Sequence, residues 1–245
     1  MHSPGIKEKI GSMLLVGFRG FSISDENPVL PDIKEHFLGS TILFDVDLTS
    51  ETKERNIQSP EQVKQLNRQL QDIRQNSGKN NLLISIDQEG GKVNRLKTRY
   101  GFPSSVSAHY LGLRDNTSLT REHTEALARL LKSLGINWNH APVVDLNVNP
   151  GNPVIGKIER SFSNDPEVVT RHALEFIETH HRHDILTTLK HFPGHGSSTV
   201  DSHLGFTDIS RSWTERELEP FRNIIEEKKA DAIMTAHVFN RQLDE

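Results

Sequence analysis

The sequence of 245 residues contains no cysteine, so neither disulfides nor thiolate metal ligands contribute to its architecture. That absence suits a cytoplasmic protein, and equally a periplasmic one from which a leader has been removed. No run of five or more basic residues occurs and the formal net charge is −4. Nucleic acid is therefore not the expected partner, since neutralising phosphates requires a basic footprint. An electrostatic membrane anchor is missing for the same reason, and no stretch approaches the roughly 20 apolar residues that span a bilayer. The N-terminus lacks the basic start, long apolar core and small-residue cleavage site of a secretory leader. Linkers, low-complexity stretches and internal repeats are absent too, so residues 1–245 read as a single domain.

What is present is a core-forming composition, 34% hydrophobic and 25% charged, arranged as short apolar runs alternating with longer amphipathic ones. Strands are expected over 13–18, 40–44, 82–87, 136–146, 185–191 and 232–238. Helices are expected over 60–75, 119–133, 165–180 and 214–229. The first of these helices opens with Ser59 as N-cap, Pro60 in the first turn and Glu61 at the positive dipole end. Val63, Leu66, Leu70 and Ile73 then mark one buried face at helical spacing.

Strand followed by helix, repeated, specifies βα units on a parallel sheet. Two architectures fit: an open doubly wound sheet and a (β/α)8 barrel. The first strand leads into Gly17-Phe18-Arg19-Gly20-Phe21, which lacks the G-x-G-x-x-G fingerprint of a dinucleotide binder. Polar groups gather instead at the C-terminal ends of several strands, as barrel active sites do: Asp45 and Asp47, Asp87 and Glu89, Asp145, Lys190 and His191, and His237. An α/β fold of the TIM-barrel type is expected, with about six of the eight βα units within these residues. Uncovered sheet edges in such a fold invite self-association.

The richest segment runs Lys190-His191-Phe192-Pro193-Gly194-His195-Gly196 and on through Asp201-Ser202-His203. Its glycines and small residues suit a loop that opens and closes over a ligand. Asp201, two residues from His203, can orient the imidazole and raise its pKa for proton transfer near neutrality. The alternatives are a polar surface loop, or a zinc site made of His191, His195, Asp201 and His203. Metal-dependent barrel hydrolases usually carry an H-x-H pair after the first strand, and none occurs here. A second segment, Asp87-Gln88-Glu89-Gly90-Gly91-Lys92-Val93-Asn94-Arg95, offers Asp87 as an acceptor for two sugar hydroxyls and Arg95 as a charged donor. Its plainer reading is a turn whose aspartate caps the next helix. In Glu159-Arg160-Ser161-Phe162, Arg160 is either a ligand-binding cation or an exposed loop arginine. Asp145 reads as a residue that holds loops in place, and His180, His181 and His183 as capping or solvated groups at a helix C-terminus.

Together these strings, with Ala232-Ile233-Met234-Thr235-Ala236-His237, resemble family 3 glycoside hydrolases, specifically the bacterial β-N-acetylhexosaminidase branch. The resemblance runs from about Lys9 to the last residue, and its most specific string is Lys190 through Gly196 followed by Asp-x-His. It implies a retaining mechanism with His203 as acid/base and Asp201 polarising it, and it places Asp87, Arg95, Arg160, Lys190 and His191 on the N-acetylated sugar. The implied partners are N-acetylglucosamine-containing saccharides from peptidoglycan or chitin, with no metal or organic cofactor. The family nucleophile, an aspartate after the seventh strand in a Ser-Asp-Asp-like string, has no counterpart here. A retaining glycosidase needs two groups roughly 5 Å apart across the bond. A sugar-binding protein without hydrolysis is therefore the alternative expectation.

Overall fold

The computed structural model describes residues 5–50, 53–201 and 205–243. Along the chain these form α1 (Ile6–Ser12), β1 (Leu15–Gly17), α2 (Val29–Lys34), β2 (Ser40–Leu43), α3 (Pro60–Asn76), β3 (Leu83–Ile86), α4 (Ala108–Arg114) and α5 (Thr117–Leu134). There follow β4 (Trp138–Asn139), α6 (Pro166–His181), β5 (Leu186–Thr187), β6 (Leu189–Phe192), α7 (Glu219–Glu226) and β7 (Ile233–Thr235). Short 3₁₀ turns occupy Thr98–Tyr100 and Glu215–Leu218.

The helix starts follow from side-chain chemistry. Ser59 accepts a hydrogen bond from the Gln62 N–H at 3.2 Å ahead of Pro60. Asp165 accepts one from the Glu167 N–H at 2.9 Å ahead of Pro166. Each cap satisfies a backbone donor that the first helical turn leaves open. On α3, Val63, Leu66 and Leu70 are fully buried, while Ile73 is only half-buried and the neighbouring Arg74 goes inside.

The chain divides into two compact units. One is built from Met1–Asp87, Arg95–Ser104 and Leu130–Asn139. In it β1, β2, β3 and β4 lie side by side in chain order and all parallel, with Leu15 opposite Ser40, Ser40 opposite Leu83 and Ser85 opposite Trp138. Ile33, Leu43, Leu66, Leu70, Ile84 and Ile86 are wholly inaccessible there, each contributing about 1.5–3 kcal/mol by leaving water. Ile6, Ile10, Met13 and Leu15 of the same unit are exposed.

The other unit is built from Gln88–Asn94, Ser105–Arg129 and His140–Glu245. Its β6 and β7 pair in parallel, Leu189 opposite Ile233 and Lys190 opposite Met234, with an irregularity between Lys190 and Phe192. Val143 adds a parallel bridge to Lys190. Val144, Leu146, Phe162, Val169, Ile177, Leu189 and Phe221 form the core beneath.

The fold is therefore α/β with parallel strands, and no closed ring of strands forms among the described residues. Several expected elements are smaller than the sequence suggests. The strand at 185–191 is interrupted at Thr188 into β5 and β6, and 136–146 reduces to β4 plus the Val143 bridge. The helix at 214–229 begins as a 3₁₀ turn, with Pro220 in the first turn of α7. No helix among the described residues is long and apolar enough to cross a membrane.

Candidate active site

In the unit that carries β6, strand geometry delivers Lys190 and His191 side by side, joined by a cis peptide bond. Lys190 is almost wholly buried, and its Nζ lies 2.7 Å from Glu89 Oε1. The same carboxylate receives Arg160 bidentately, Nε to Oε2 at 2.8 Å and Nη2 to Oε1 at 2.7 Å. Burial alone would raise Glu89, but Lys190 and then Arg160 more than offset this and hold it down at about 2. Arg160 reaches this position from a strained backbone, since Glu159 before it sits at φ 62. Arg160 is 10% exposed at its side chain. It is thus not an exposed loop arginine.

His191 completes the group. Its Nδ1 lies 2.6 Å from Asp145 Oδ2, and its Nε2 lies 3.1 Å from Arg160 Nη2. Burial pushes the imidazole below its ordinary pKa, against the pull of Asp145. A neutral ring donating Nδ1–H to Asp145 and accepting at Nε2 from Arg160 satisfies every partner. Asp145 is fully buried and held below the usual carboxylate range: burial raises it, and the His191 ring and the backbone N–H groups of His195 and His191 outweigh that. Both ring nitrogens of His191 are thereby engaged, which removes it from the zinc set considered above. Among the described residues no group of three His, Asp or Glu is arranged to hold a metal.

Asp145 is more than a loop-holding residue, because it fixes the imidazole as well as the loop. That loop is not free to open over its first half. Residues 194–198 are buried; Asn152 Nδ2 donates to His195 O at 2.7 Å, and Asn149 donates from its N–H to Gly196 O at 3.1 Å and from Nδ2 to Ser198 O at 2.9 Å. Gly196 is there for close approach: a Cβ on it would fall 1.6 Å from Leu146 O. Asp201 follows, partly exposed. His203 lies outside the described residues.

In the other unit, Asp87 and Arg95 form a loose ion pair, Oδ2 to Nη2 at 3.8 Å. Arg95 also faces the buried Asp45 at 3.9 Å and lies over the Phe44 ring at 5.5 Å. Lys97 hydrogen-bonds Asp45 directly. Asp87 caps no α-helix, as none begins between it and Thr98. No local pattern in the sequence marks Glu89 as a hub, and none marks Glu217. The histidines at the end of α6 also differ from expectation: His180 is wholly buried and stacked on Phe176 with ring centroids 4.2 Å apart, while His181 and His183 bond to Asp231 and Glu125.

A family model described as the glycosyl hydrolase family 3 N-terminal domain matches residues 5–245. The chain belongs to that family. A curated relative, β-hexosaminidase A of Pseudoalteromonas piscicida, is 34% identical over 97% of this chain and 41% of its own length. The solved family 3 β-N-acetylglucosaminidase of Paenibacillus sp. str. FPU-7 is 38% identical with a TM-score of 0.85, over 97% of this chain and 43% of that one. NagZ from Neisseria gonorrhoeae in complex with N-trifluoroacetyl-D-glucosamine is 30% identical with a TM-score of 0.80, over 94% of this chain and 65% of that one. The chain thus spans about two fifths to two thirds of the length of these relatives.

Proposed function

We propose that this chain is the sugar-binding and acid/base part of a retaining β-N-acetylhexosaminidase. The observation that carries the reading is the buried, fully paired group of Glu89, Arg160, Lys190, His191 and Asp145. Two cations are held at fixed spacing around one carboxylate, a preorganised polar cluster of the kind that orients sugar hydroxyl and N-acyl groups. Residues 1–245 act in this reading as one domain of the (β/α)8 type. Support comes from the order of β1, β2, β3 and β4, which runs in chain sequence as in a barrel, whereas a doubly wound sheet reverses at its switch point.

Asp87, Arg95, Arg160, Lys190 and His191 hold the terminal N-acetylhexosamine. His203, oriented by Asp201, protonates the departing glycosidic oxygen as the family's nucleophilic aspartate, which has no counterpart in residues 1–245, bonds to the anomeric carbon, and then takes a proton from the water that displaces the sugar from that aspartate. The spacing of the two residues and the family membership support this assignment. The substrates are β-N-acetylglucosaminyl groups of peptidoglycan fragments or chitooligosaccharides, and no metal or organic cofactor takes part. The proposed compartment is the cytoplasm, since nothing in a cysteine-free chain requires an oxidising one. Self-association is proposed through the exposed Ile6, Ile10, Met13 and Leu15, and the concentration dependence of the sedimentation coefficient tests it.

Release of p-nitrophenol from p-nitrophenyl N-acetyl-β-D-glucosaminide by the longest native form of the protein tests the main reading. His203→Ala is expected to lower the rate by roughly 10²–10⁴-fold, the usual worth of a general acid. An unchanged rate removes the acid/base assignment. Saccharide binding without turnover in the longest native form of the protein favours the non-hydrolytic alternative.

A further inference from the structure

Glu217 belongs to the Glu215–Leu218 turn, is wholly buried, and lies against the segment 193–198. Its Oε2 accepts a hydrogen bond from the Ser197 N–H at 3.2 Å. A Cβ at Gly194, where φ is 118, would fall 2.6 Å from Glu217 Cβ. Four residues earlier, Trp213 Nε1 donates to Pro193 O at 3.0 Å. Residues 213–217 therefore grip both ends of the segment. Its middle grips the sugar-binding group in turn: the His195 N–H donates to Asp145 Oδ1 at 2.8 Å, and Asp145 orients His191.

The second oxygen of Glu217, Oε1, and the neighbouring Ser197 Oγ are buried without a partner of hydrogen-bonding geometry among the described residues. The charge that acts on Glu217 is the Asp145 carboxylate, which repels it. The segment against it contributes His195 as a titratable group, and its own turn contributes Glu215, Arg216 and Glu219, all exposed. No cation pairs with Glu217 among the described residues.

We propose that Glu217 is a positioning residue that links one proton to the geometry of segment 193–198, and through Asp145 to the orientation of His191. Burial, reinforced by the Asp145 charge and opposed by the neighbouring Ser197 and the backbone of Thr214, raises its carboxyl to about 7. Below that pH the neutral acid fits its site. Above it, a second anion stands beside Asp145 with no counter-ion. The relief is withdrawal of the carboxyl, which frees Ser197 N–H, loosens the His195–Asp145 bond and lets His191 tilt. The consequence for sugar rests on the proposed function; the proton linkage does not.

The unaltered protein and Glu217→Gln are compared from pH 5 to 8.5 in melting midpoint and in the NMR signal of the His191 Nδ1 proton. A carboxyl raised in the folded state contributes stability that is full below the unfolded value near 4.5 and lost as pH rises through 7. The midpoint of the unaltered protein, taken relative to the variant, is therefore expected to fall across that interval, and the His191 signal to shift only in the unaltered protein. Parallel profiles overturn the proposal. If the variant does not fold, carbon-13 titration of the Glu217 carboxyl in the unaltered protein decides: a midpoint near 7 supports the linkage, and one near 4.5 overturns it. The dissociation constant for N-acetylglucosamine in calorimetry is expected to rise several-fold above pH 7 in the unaltered protein alone. Failure of that arm with the others met overturns the sugar role of His191 and leaves the linkage supported.

Discussion

The guanidinium of Arg160 and the carboxylate of Glu89 meet in parallel, Nε to Oε2 and Nη2 to Oε1, while Lys190 Nζ shares Oε1. One buried anion thus pairs with two buried cations. Removing it strands both, and breaking such a buried pair costs about 3–5 kcal/mol. Glu89→Gln is expected to lower the unfolding free energy by that amount in urea titration, and to abolish N-acetylglucosamine binding in calorimetry. A loss below about 1 kcal/mol shows that the cluster adds nothing to the fold.

This cluster shows what the sequence conveys and what it withholds. Arg160, Lys190 and His191 stood out because each sits in a distinctive string, and the structure brings all three within one hydrogen-bonded group. Glu89 was equally visible as a letter, but its role depends on residues 71 and 101 positions further along, and no local pattern reports such a pairing. Glu217 lies among Glu215 and Glu219 in a stretch that reads as a solvated helix, and only tertiary packing buries it. The fold divides in the same way. The capped helices α3 and α6 and the apolar strands announce themselves by periodicity and by Ser59 and Asp165. The short helices α1, α2 and α4 span too few turns to establish a period, and tertiary contacts decide them. The glycines at 194 and 196 looked like flexibility and serve close packing instead.

Asp145 holds His191 by a charge-assisted hydrogen bond at 2.6 Å and accepts two backbone N–H groups besides. Asp145→Asn keeps the shape, removes the charge and allows the ring to change tautomer. Hydrogen bonds to charged groups contribute about 1.5–3 kcal/mol, so saccharide affinity is expected to fall by roughly 10–150-fold in calorimetry. An affinity within twofold of the unaltered protein shows that His191 needs no such orientation.

His180 gives the acid limb of stability its sign. Burial lowers its pKa to about 4, against a hydrogen bond from the ring to Phe176 O that favours the proton. Between that value and the ordinary one near 6.5, the unfolded chain binds the proton that the folded chain refuses. Stability therefore rises with pH across this window, by about 3 kcal/mol for this residue. Thermal melts from pH 4 to 7 should show a steep rise for the unaltered protein. The rise should be shallower in His180→Phe, which keeps the stacking on Phe176 and cannot titrate. Equal slopes would assign the acid limb to other groups.

Gly196 offers the sharpest steric test. A Cβ there meets the carbonyl oxygen of Leu146 at 1.6 Å, and backbone cannot swing aside as a side-chain tip can. Gly196→Ala forces the segment to lift, breaking the bonds from Asn152 to His195 O and from Asn149 to Gly196 O. Overpacking of this kind costs about 1–3 kcal/mol before hydrogen-bond losses, so a fall of 3 kcal/mol or more is expected in urea titration. Gly205→Ala is the control, since among the described residues nothing lies within 4 Å of a Cβ built there, and it should change stability by less than about 0.5 kcal/mol. If the two variants unfold alike, the segment is not pinned against Leu146, and the path from Glu217 to Asp145 and His191 loses its rigid middle link.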